Sequence, residues 1–374
     1  MRIELIEKFK NNFTSTFLNY NNFSDRHSPI LIMLISSLGI LGIDLDIIRF
    51  IHLNFLPLLI FISYKCLSLK FKNENKNIIF LICCVFFLSP SLRSIAIWPD
   101  SRILGLIIFL FSTYFFLKFK NTHEFKDCIY NNILLIISAY ISPNFSMFFL
   151  YFMFYYVQYF KFSQKLILMI LINFILSLPI LYYLFILDVN FLATTAISNI
   201  SVLHALNPAN KIFIISTLLL FFITPFIIRY FSINNFIKNF KINHLFVVLI
   251  IFSCLFYFFN YSIEYTGGGI FYRLSYFIFG NSYFFFIITF ISMLFIMNVF
   301  KLNFNNLLLF IILILSNPQL TIYHKYFDPL LLLLFFLFFD FKFDKAIYIN
   351  KKFLTNIYVF YFILLLINFG RYLI

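Results

Sequence analysis

The stretch RSIAIWPDSRILGLIIFLFSTYFFLKFK (93–120) contains the features that decide the fold. A continuous apolar run (103–118) follows Asp100 and Arg102 and ends among lysines. A helix rises about 1.5 Å per residue, so about 20 residues cross the ~30 Å hydrocarbon core of a bilayer. The stretch therefore predicts a membrane-spanning helix that has charged residues at both ends.

Apolar runs of this kind recur along the whole chain of 374 residues. The composition is 63% hydrophobic and 11% charged, with a mean hydropathy of +0.96, whereas a soluble domain carries roughly 25% charged residues. The runs are continuous and do not alternate with a period of two, which excludes a transmembrane β-barrel. We therefore predict an all-α, polytopic transmembrane protein of about 11–13 helices. The runs lie near residues 29–43, 51–66, 78–97, 103–118, 129–142, 145–160, 166–187, 211–228, 244–260, 282–300, 306–316, 329–341 and 353–369.

The positive charge of the chain is concentrated in short connections between these runs. The formal net charge is +14, but lysines that cluster between membrane helices indicate cytoplasmic loops and not a nucleic-acid surface. We therefore expect no nucleic-acid partner, a polar N-terminal segment (1–28) and a single transmembrane domain (29–374). The predicted cytoplasmic connections are 65–77, 118–126, 161–165, 229–241, 301–306 and 341–352. The predicted outer connections are 98–102, 141–144, 188–210, 260–281 and 317–329.

Three groups of residues with chemically capable side chains fall on the predicted outer face. They are Asp25, Arg26 and His27, then Arg93, Asp100 and Arg102, and finally His324, Lys325 and Asp328, flanked by Tyr323 and Tyr326. A carboxylate at a helix end can act as a general base, while Arg, His or Lys can bind phosphate. The alternative is structural, with an Asp that caps a helix and an Arg or Trp that anchors it at the membrane interface. The spacing of the residues leaves both interpretations open.

Two smaller features have simpler interpretations. Asp44, Asp46 and Arg49 fill a short gap between apolar runs, which is typical of a solvated hairpin turn, and we interpret the nearby His52 as structural. The glycines at 267–269 free the backbone for a tight turn or for the close approach of a ligand.

The order of features in residues 25–119 resembles the first half of the GT-C membrane glycosyltransferases, especially dolichyl-phosphate-mannose protein mannosyltransferases and bacterial aminoarabinose transferases. DRHSPILIMLISSLGILGIDLDIIR (25–49) is similar to the entrance of that family into a helix, with the small turn at Gly42 and the arginine at Arg49. SIAIWPDSRILGLIIFLFSTYFFLKF (94–119) is similar to the pair of helices that the family joins through an Asp on the outer face. The resemblance covers about a quarter of the chain.

The resemblance implies a glycosyltransferase that moves a sugar from a polyprenyl-phosphate donor to a lipid, glycan or protein acceptor. The reaction is expected on the outer face of a bacterial inner membrane, among membrane lipids. The catalytic carboxylates would be Asp25, as the base or as a ligand of a metal or the acceptor, and Asp100 as its partner. The residues that would bind the donor phosphate are Arg26, His27, Arg93, Arg102, His324, Lys325 and Tyr326. No cofactor is specified, and a divalent metal is left open.

The chain departs from this family at its N-terminus. The family normally has a membrane helix before its first outer loop and a catalytic Asp early in that loop, whereas segment 1–28 contains no such apolar helix. Either the start codon is placed too far downstream, so that segment 1–28 is a remnant of the loop, or Asp25 or Glu4 takes the place of the family's Asp.

Two other classes of protein stay open. A polysaccharide polymerase or O-antigen ligase would also be polytopic, but it would usually carry an outer loop longer than 188–210 or 260–281 and rich in Arg and His. A lipid or solute transporter would place ionisable residues halfway along its membrane helices. In this sequence nearly all such residues lie at predicted helix ends, which favours the enzyme.

Overall fold

In the residues that the computed structural model describes, the fold consists of helices and the connections between them. These are residues 3–23, 28–185, 207–230, 242–265, 267–317 and 319–370. Within these ranges the one β pairing is an isolated bridge between Phe300 and Phe341. The predicted all-α class is therefore confirmed.

Each predicted apolar run contains an α-helix. The helices of the described chain are α1 (Ile3–Asn11), α2 (Phe13–Leu18), α3 (Ile30–Ile40), α4 (Leu45–Leu53), α5 (Phe55–Lys70), α6 (Lys76–Cys84), α7 (Pro90–Ile97), α8 (Ser101–Thr122), α9 (Phe125–Ile141), α10 (Phe148–Phe160), α11 (Gln164–Phe185), α12 (Pro208–Tyr230), α13 (Ile242–Phe258), α14 (Gly269–Phe279), α15 (Tyr283–Val299), α16 (Phe304–Leu315), α17 (Leu330–Leu337) and α18 (Lys351–Gly370).

Five helical segments of the described chain are long and apolar enough to cross a membrane, which is compatible with a multi-pass membrane protein. They are Leu45–Lys70, Ser101–Thr122, Gln164–Tyr183, Pro208–Ile228 and Lys351–Phe369. A sixth arises if Lys76–Leu88 and Pro90–Ile97, which are separated by a bend at Ser89, count as one broken crossing. Several other predicted runs form shorter helices, and α17 has only eight residues.

Two stretches that the sequence did not assign to helices are nevertheless helical. The outer connection predicted at 260–281 contains α14. The polar N-terminal segment contains α1 and α2, and α1 is amphipathic, with Leu5, Ile6 and Phe9 buried. An amphipathic helix folds when its apolar face finds a partner, and the Ser36 hydroxyl of α3 donates to the Ile6 carbonyl at 3.1 Å.

The internal contacts of the chain define two compact units. Unit 1 comprises Met1–Lys72 and Leu92–Thr194, and unit 2 comprises Asn73–Ser91 and Thr195–Ile374. This division does not test the prediction of a single transmembrane domain over 29–374, which stays a prediction.

Unit 1 is built around α8, which packs between α5 and α9. Polar side chains join α8 to α9 at two levels. The Ser138 hydroxyl donates to the Gly105 carbonyl at 2.8 Å, and the Asn131 amide donates to the Ser112 carbonyl at 2.9 Å. A Cβ at Gly105 would lie 2.6 Å from Cβ of Ser142. A small residue here therefore allows close helix packing, as is common between membrane helices.

The lysine-rich end of α8 contains a buried ion pair. Asp127 is fully buried and accepts hydrogen bonds from Lys118 Nζ and from the Thr122 hydroxyl, both at 3.1 Å. A carboxylate in the interior of unit 1 is thus matched by a cation.

Unit 2 is built around α12, which packs against α15, α14, α18, α16 and α17. Every residue of α17 is buried. Near the last turns of α12, the ring of Phe226 contacts Phe336, Phe341, Tyr348 and Phe353. This aromatic cluster fixes the ends of α17 and α18 against α12.

Candidate functional site

The WPDSR turn at 98–102 connects α7 to α8 in unit 1. Asp100 is the N-cap of α8, and its Oδ1 accepts a hydrogen bond from the Arg102 backbone N–H at 2.9 Å. The structural role predicted for Asp100, helix capping, is therefore confirmed.

The side chain of Arg102 folds back onto the same carboxylate. Its Nε donates to Asp100 Oδ1 at 2.8 Å, and its Nη2 forms an ion pair with Oδ2. The Asp100 side chain keeps 25% of its surface exposed and that of Arg102 14%. The ion pair is thus partly desolvated but reachable, which suits a carboxylate and a cation that meet a charged ligand. Arg93, which we predicted beside them, is exposed on α7.

His52 of α4 holds this turn in place. Its Nδ1 lies 3.0 Å from the Ala96 carbonyl, and its Nε2 accepts from the Asp100 backbone N–H at 3.3 Å. Both contacts are satisfied by a neutral imidazole with its proton on Nδ1. His52 is 3% exposed. The histidine interpreted as structural therefore positions the backbone of a candidate catalytic residue.

Arg49 of α4 supports the turn from the other side. Its guanidinium carbon lies 4.3 Å from the ring centroid of Trp98, and its Nη1 donates to Asp46 Oδ1 at 3.1 Å. A guanidinium over an indole face is attracted by the ring quadrupole. The gap interpreted as a solvated turn thus supplies a cation that packs on the one tryptophan of the chain.

The first predicted group, Asp25, Arg26 and His27, lies outside the described residues. Ser28 follows it directly in the sequence, is buried, and donates from its hydroxyl to the Tyr140 carbonyl.

Tyr140 also lines an apolar groove of about 420 Å³ in unit 1. The groove lies among α9, α10 and α11, with a wall that includes Leu135, Ala139, Tyr140, Phe149, Asn173 and Phe174. The Asn173 amide donates to the Met169 carbonyl at 2.8 Å, while its Oδ1 is buried without a hydrogen-bond partner. Ala139 follows Ser138, whose hydroxyl donates to the Gly105 carbonyl. Gly105 lies about 7.5 Å further along α8 than Asp100. The groove therefore begins near the level of the Asp100–Arg102 pair.

The predicted group at 324–326 in unit 2 has three different environments. Lys325 Nζ lies 4.9 Å from the ring centroid of Tyr323, and the Tyr326 hydroxyl donates to Gln319 at 3.2 Å. The ring of His324 instead stacks on Phe222, with centroids 5.0 Å apart. Only His324 therefore points into the aromatic interior beside α12.

The glycines at 267–269 pack against the same connection. Gly267 has φ of +97°, and a Cβ there would lie 2.5 Å from the Ile322 carbonyl oxygen. The Gly268 N–H donates to that oxygen at 3.0 Å. Arg273 completes the turn by donating to the carbonyls of Gly267 and Ile263, at 2.8 and 3.1 Å. The tight turn is therefore present, and the group that approaches the glycines closely is the Ile322 carbonyl of the chain itself. The alternative prediction, the close approach of a ligand, stays a prediction.

The connection between α16 and α17 extends from one end of α12 to its interior. At its start, the Asn317 carbonyl accepts from Lys211 Nζ, near the beginning of α12. His324 then packs on Phe222, which lies about 16 Å further along the helix than Lys211. The predicted outer connection 317–329 thus reaches deep along a helix of membrane-spanning length.

Asp328 lies at the end of this connection. The sequence grouped it with His324 and Lys325, but we predicted no site role for it. It is 2% exposed. Its Oδ2 accepts from the Ser89 hydroxyl at 2.6 Å and its Oδ1 from the Tyr361 hydroxyl at 3.2 Å. Ser91 also donates to this carboxyl.

The sequence placed Asp328 near His324, but it contained no signal for the partners of the Asp328 carboxyl. Asp328 follows His324 in the chain, but Ser89 and Tyr361 come from distant segments and are ordinary residues of apolar surroundings. An acidic residue directly before the continuous apolar run 329–341 was the one available hint.

No group of three or more His, Cys, Asp or Glu side chains that could hold a metal ion occurs within the described ranges. The sequence, compared with protein-family models and curated proteins, and the fold, compared with solved structures, gave no match.

Proposed function

We propose that this protein is an integral membrane glycosyltransferase that transfers a sugar from a polyprenyl-phosphate donor to a hydroxyl acceptor on the outer face. The observation that carries the proposal is the reachable Asp100–Arg102 ion pair at the entrance of α8, a helix of membrane-spanning length, with an apolar groove close by. A lipid-linked donor needs an apolar site for its chain and a charged site for its phosphate. Unit 1 offers both.

In the proposed reaction, the acceptor oxygen attacks the anomeric carbon of the sugar and the bond from that carbon to the donor phosphate breaks. The Asp100 carboxylate takes the proton of the acceptor hydroxyl. Arg102 moves part of its contact from Asp100 to the phosphate that leaves, because a guanidinium binds carboxylate and phosphate in the same geometry. His52 keeps Asp100 in place through the backbone.

The remaining predicted roles are part of this proposal. Asp25 would be the second carboxylate, and Arg26, His27 and Arg93 would contact the donor phosphate. Lys325, Tyr326 and His324 were predicted for the same phosphate, and they belong to unit 2. These assignments stay predictions.

The test is a transfer assay with the purified, reconstituted protein and a radiolabelled polyprenyl-phosphate sugar. Asp100→Asn should lower the rate by about 10²–10⁴-fold, the usual loss when a general base is removed. The matched control is Asp344→Asn, which changes another capping aspartate, one that accepts from the Ala346 N–H at 3.0 Å. Control and parent should transfer equally well. Equal rates for Asp100→Asn and the parent would refute the role of Asp100.

A transporter is the second candidate, because His324 contacts Phe222 and Asp328 contacts Tyr361, both in the middle of helices of membrane-spanning length. Ionisable residues at such positions are typical of transport pathways. Uptake of a solute or lipid into vesicles, without consumption of any sugar donor, would favour this candidate over the enzyme.

A further inference from the structure

The carboxyl of Asp328 lies halfway along α18. Its partner Tyr361 is about 15 Å along the helix axis from Lys351 and about 14 Å from Gly370. Because the hydrocarbon core of a bilayer is about 30 Å thick, a helix of this length places Tyr361 near its centre. The carboxyl therefore lies at mid-length of a helix that is long and apolar enough to cross a membrane.

Two interrupted segments of unit 2 meet at this carboxyl. One is the segment that breaks at Ser89, between the 3-10 turn Val85–Leu88 and α7. The other is the connection 319–329, which is irregular up to Pro329 and then continues as the short helix α17. The Asp328 backbone N–H donates to the His324 carbonyl at 3.1 Å, so the acid and the histidine belong to one turn.

Among the described residues, no Lys or Arg forms an ion pair with Asp328. The groups that face it are the hydroxyls of Ser89 and Ser91, the hydroxyl of Tyr361 on α18, and His324 from its own connection. The histidine lies among the rings of Phe221 and Phe222 on α12. Its Nδ1 is buried without a hydrogen-bond partner.

An ionised carboxylate in such a place is costly, and proteins normally either pair it with a cation or keep it protonated. Asp127 in unit 1 shows the first solution, because Lys118 Nζ lies 3.1 Å from its oxygen. Asp328 forms no such ion pair. A bound proton can then neutralise its carboxylate.

We propose that Asp328 and His324 form a proton-binding site at the centre of the membrane-spanning part of unit 2. In the resting state the proton is on Asp328 and His324 is neutral, so that the site carries no charge and the connection 319–329 stays docked. Release of the proton leaves a carboxylate without a cation, and only His324 is placed to take up a compensating proton. This site consists of residues of unit 2 and would exist in an enzyme or a transporter.

Infrared spectroscopy of the reconstituted protein tests this directly, because a protonated carboxyl has its own carbonyl stretch. Near neutral pH, where exposed carboxylates are ionised, the parent should show this band. It should disappear in Asp328→Asn and persist in the control Asp127→Asn. Absence of the band in the parent, or a band that persists in Asp328→Asn, would overturn the proposal.

A second variant covers the case in which Asp328→Asn fails to fold. His324→Gln removes the one neighbouring group that can become positive, so the carbonyl band should persist and should titrate at higher pH than in the parent. A band that titrates at the parent's pH would exclude His324 from the site. Hydrogen exchange of the amides at 319–329, corrected for the intrinsic effect of pH, should rise as the band is lost.

Discussion

Asp100 and Asp328 are both aspartates at interruptions between helices, yet their environments are opposite. Asp100 is 25% exposed at the start of α8, and both of its oxygens contact Arg102. Asp328 is 2% exposed, halfway along α18, and accepts hydrogen bonds from hydroxyl groups. The first carboxylate is balanced by a cation, whereas the second is balanced by its own proton in our proposal.

The comparison teaches that position along the membrane normal decides which chemistry a carboxylate offers. At a helix end, water and a guanidinium stabilise the charge, so the carboxylate can accept a proton from a substrate. Halfway along a helix neither is present, and the neutral acid is favoured. Four predictions probe this difference, from the largest expected effect to the smallest.

Reversal of charge should separate the two positions most strongly. Asp328→Arg places a cation among Phe221, Phe222 and His324 without a partner, which we expect to destabilise the fold by about 3–5 kcal/mol. Asp100→Arg should fold, because the side chain reaches water at the helix end, although it should lose transfer activity. The yield of monodisperse protein in fluorescence-detected size exclusion measures how well each of the two variants folds. Equal yields would show that depth does not distinguish the two aspartates.

Removal of Arg102 should take from Asp100 the cation that both of its oxygens contact. Arg102→Ala should lower the rate of sugar transfer by about 10²–10³-fold, as is typical when a charge-stabilising donor is lost. Arg102→Lys, which keeps the charge but not the planar fork, should recover part of that loss. A rate for Arg102→Ala that matches the parent would contradict the proposed contact with the phosphate.

Loss of His52 should disturb the Asp100 turn without touching the carboxylate. His52→Phe keeps a ring but removes the contacts with the Ala96 carbonyl and the Asp100 N–H, which should cost about 1–3 kcal/mol of stability and lower transfer activity. The control is His244→Phe, since His244 is also buried and lies 3.0 Å from Asn298 Oδ1 in unit 2. It should lose stability but keep its transfer rate. Thermal unfolding and the transfer assay measure the two effects.

The pH dependence of stability should report on Asp328. In our proposal the folded protein binds this proton more tightly than the unfolded chain does. The resulting stability is complete below the ordinary pKa of Asp, about 3.9, and is lost as the pH rises to the value at which the folded protein releases the proton. Relative to Asp328→Asn, the parent should therefore lose about 1.4 kcal/mol for each pH unit between these two values. Parallel stability curves for parent and variant would contradict a neutral Asp328.

Local features of the fold could be predicted from the sequence. The helix over 101–122 and the cap at Asp100 depend on neighbours in the chain. An apolar run forms the helix, a proline precedes it, and the Asp100 carboxylate binds the N–H of Arg102, only two residues away. Short-range geometry of this kind is contained in spacing and composition.

The second cluster could not be predicted, because its partners are far apart in the chain. Ser89 and Asp328 are separated by 239 residues, and neither residue type is unusual where it stands. The polar composition of 317–329 also predicted an outer connection, since sequence indicates how polar a segment is but not how far it extends along neighbouring helices. The same limit applied to His52, whose contact with Asp100 crosses 48 residues.

The most direct test of the account compares Asp100→Asn and Asp328→Asn in one transfer assay over a range of pH. The two substitutions are chemically identical, so any difference comes from the environments. We predict that Asp100→Asn loses about 10²–10⁴-fold in rate at every pH. Asp328→Asn should keep at least a substantial part of the parent's rate near neutral pH, because the parent already carries a neutral carboxyl at position 328. An equally large loss in Asp328→Asn, or parental rates in Asp100→Asn, would contradict the account.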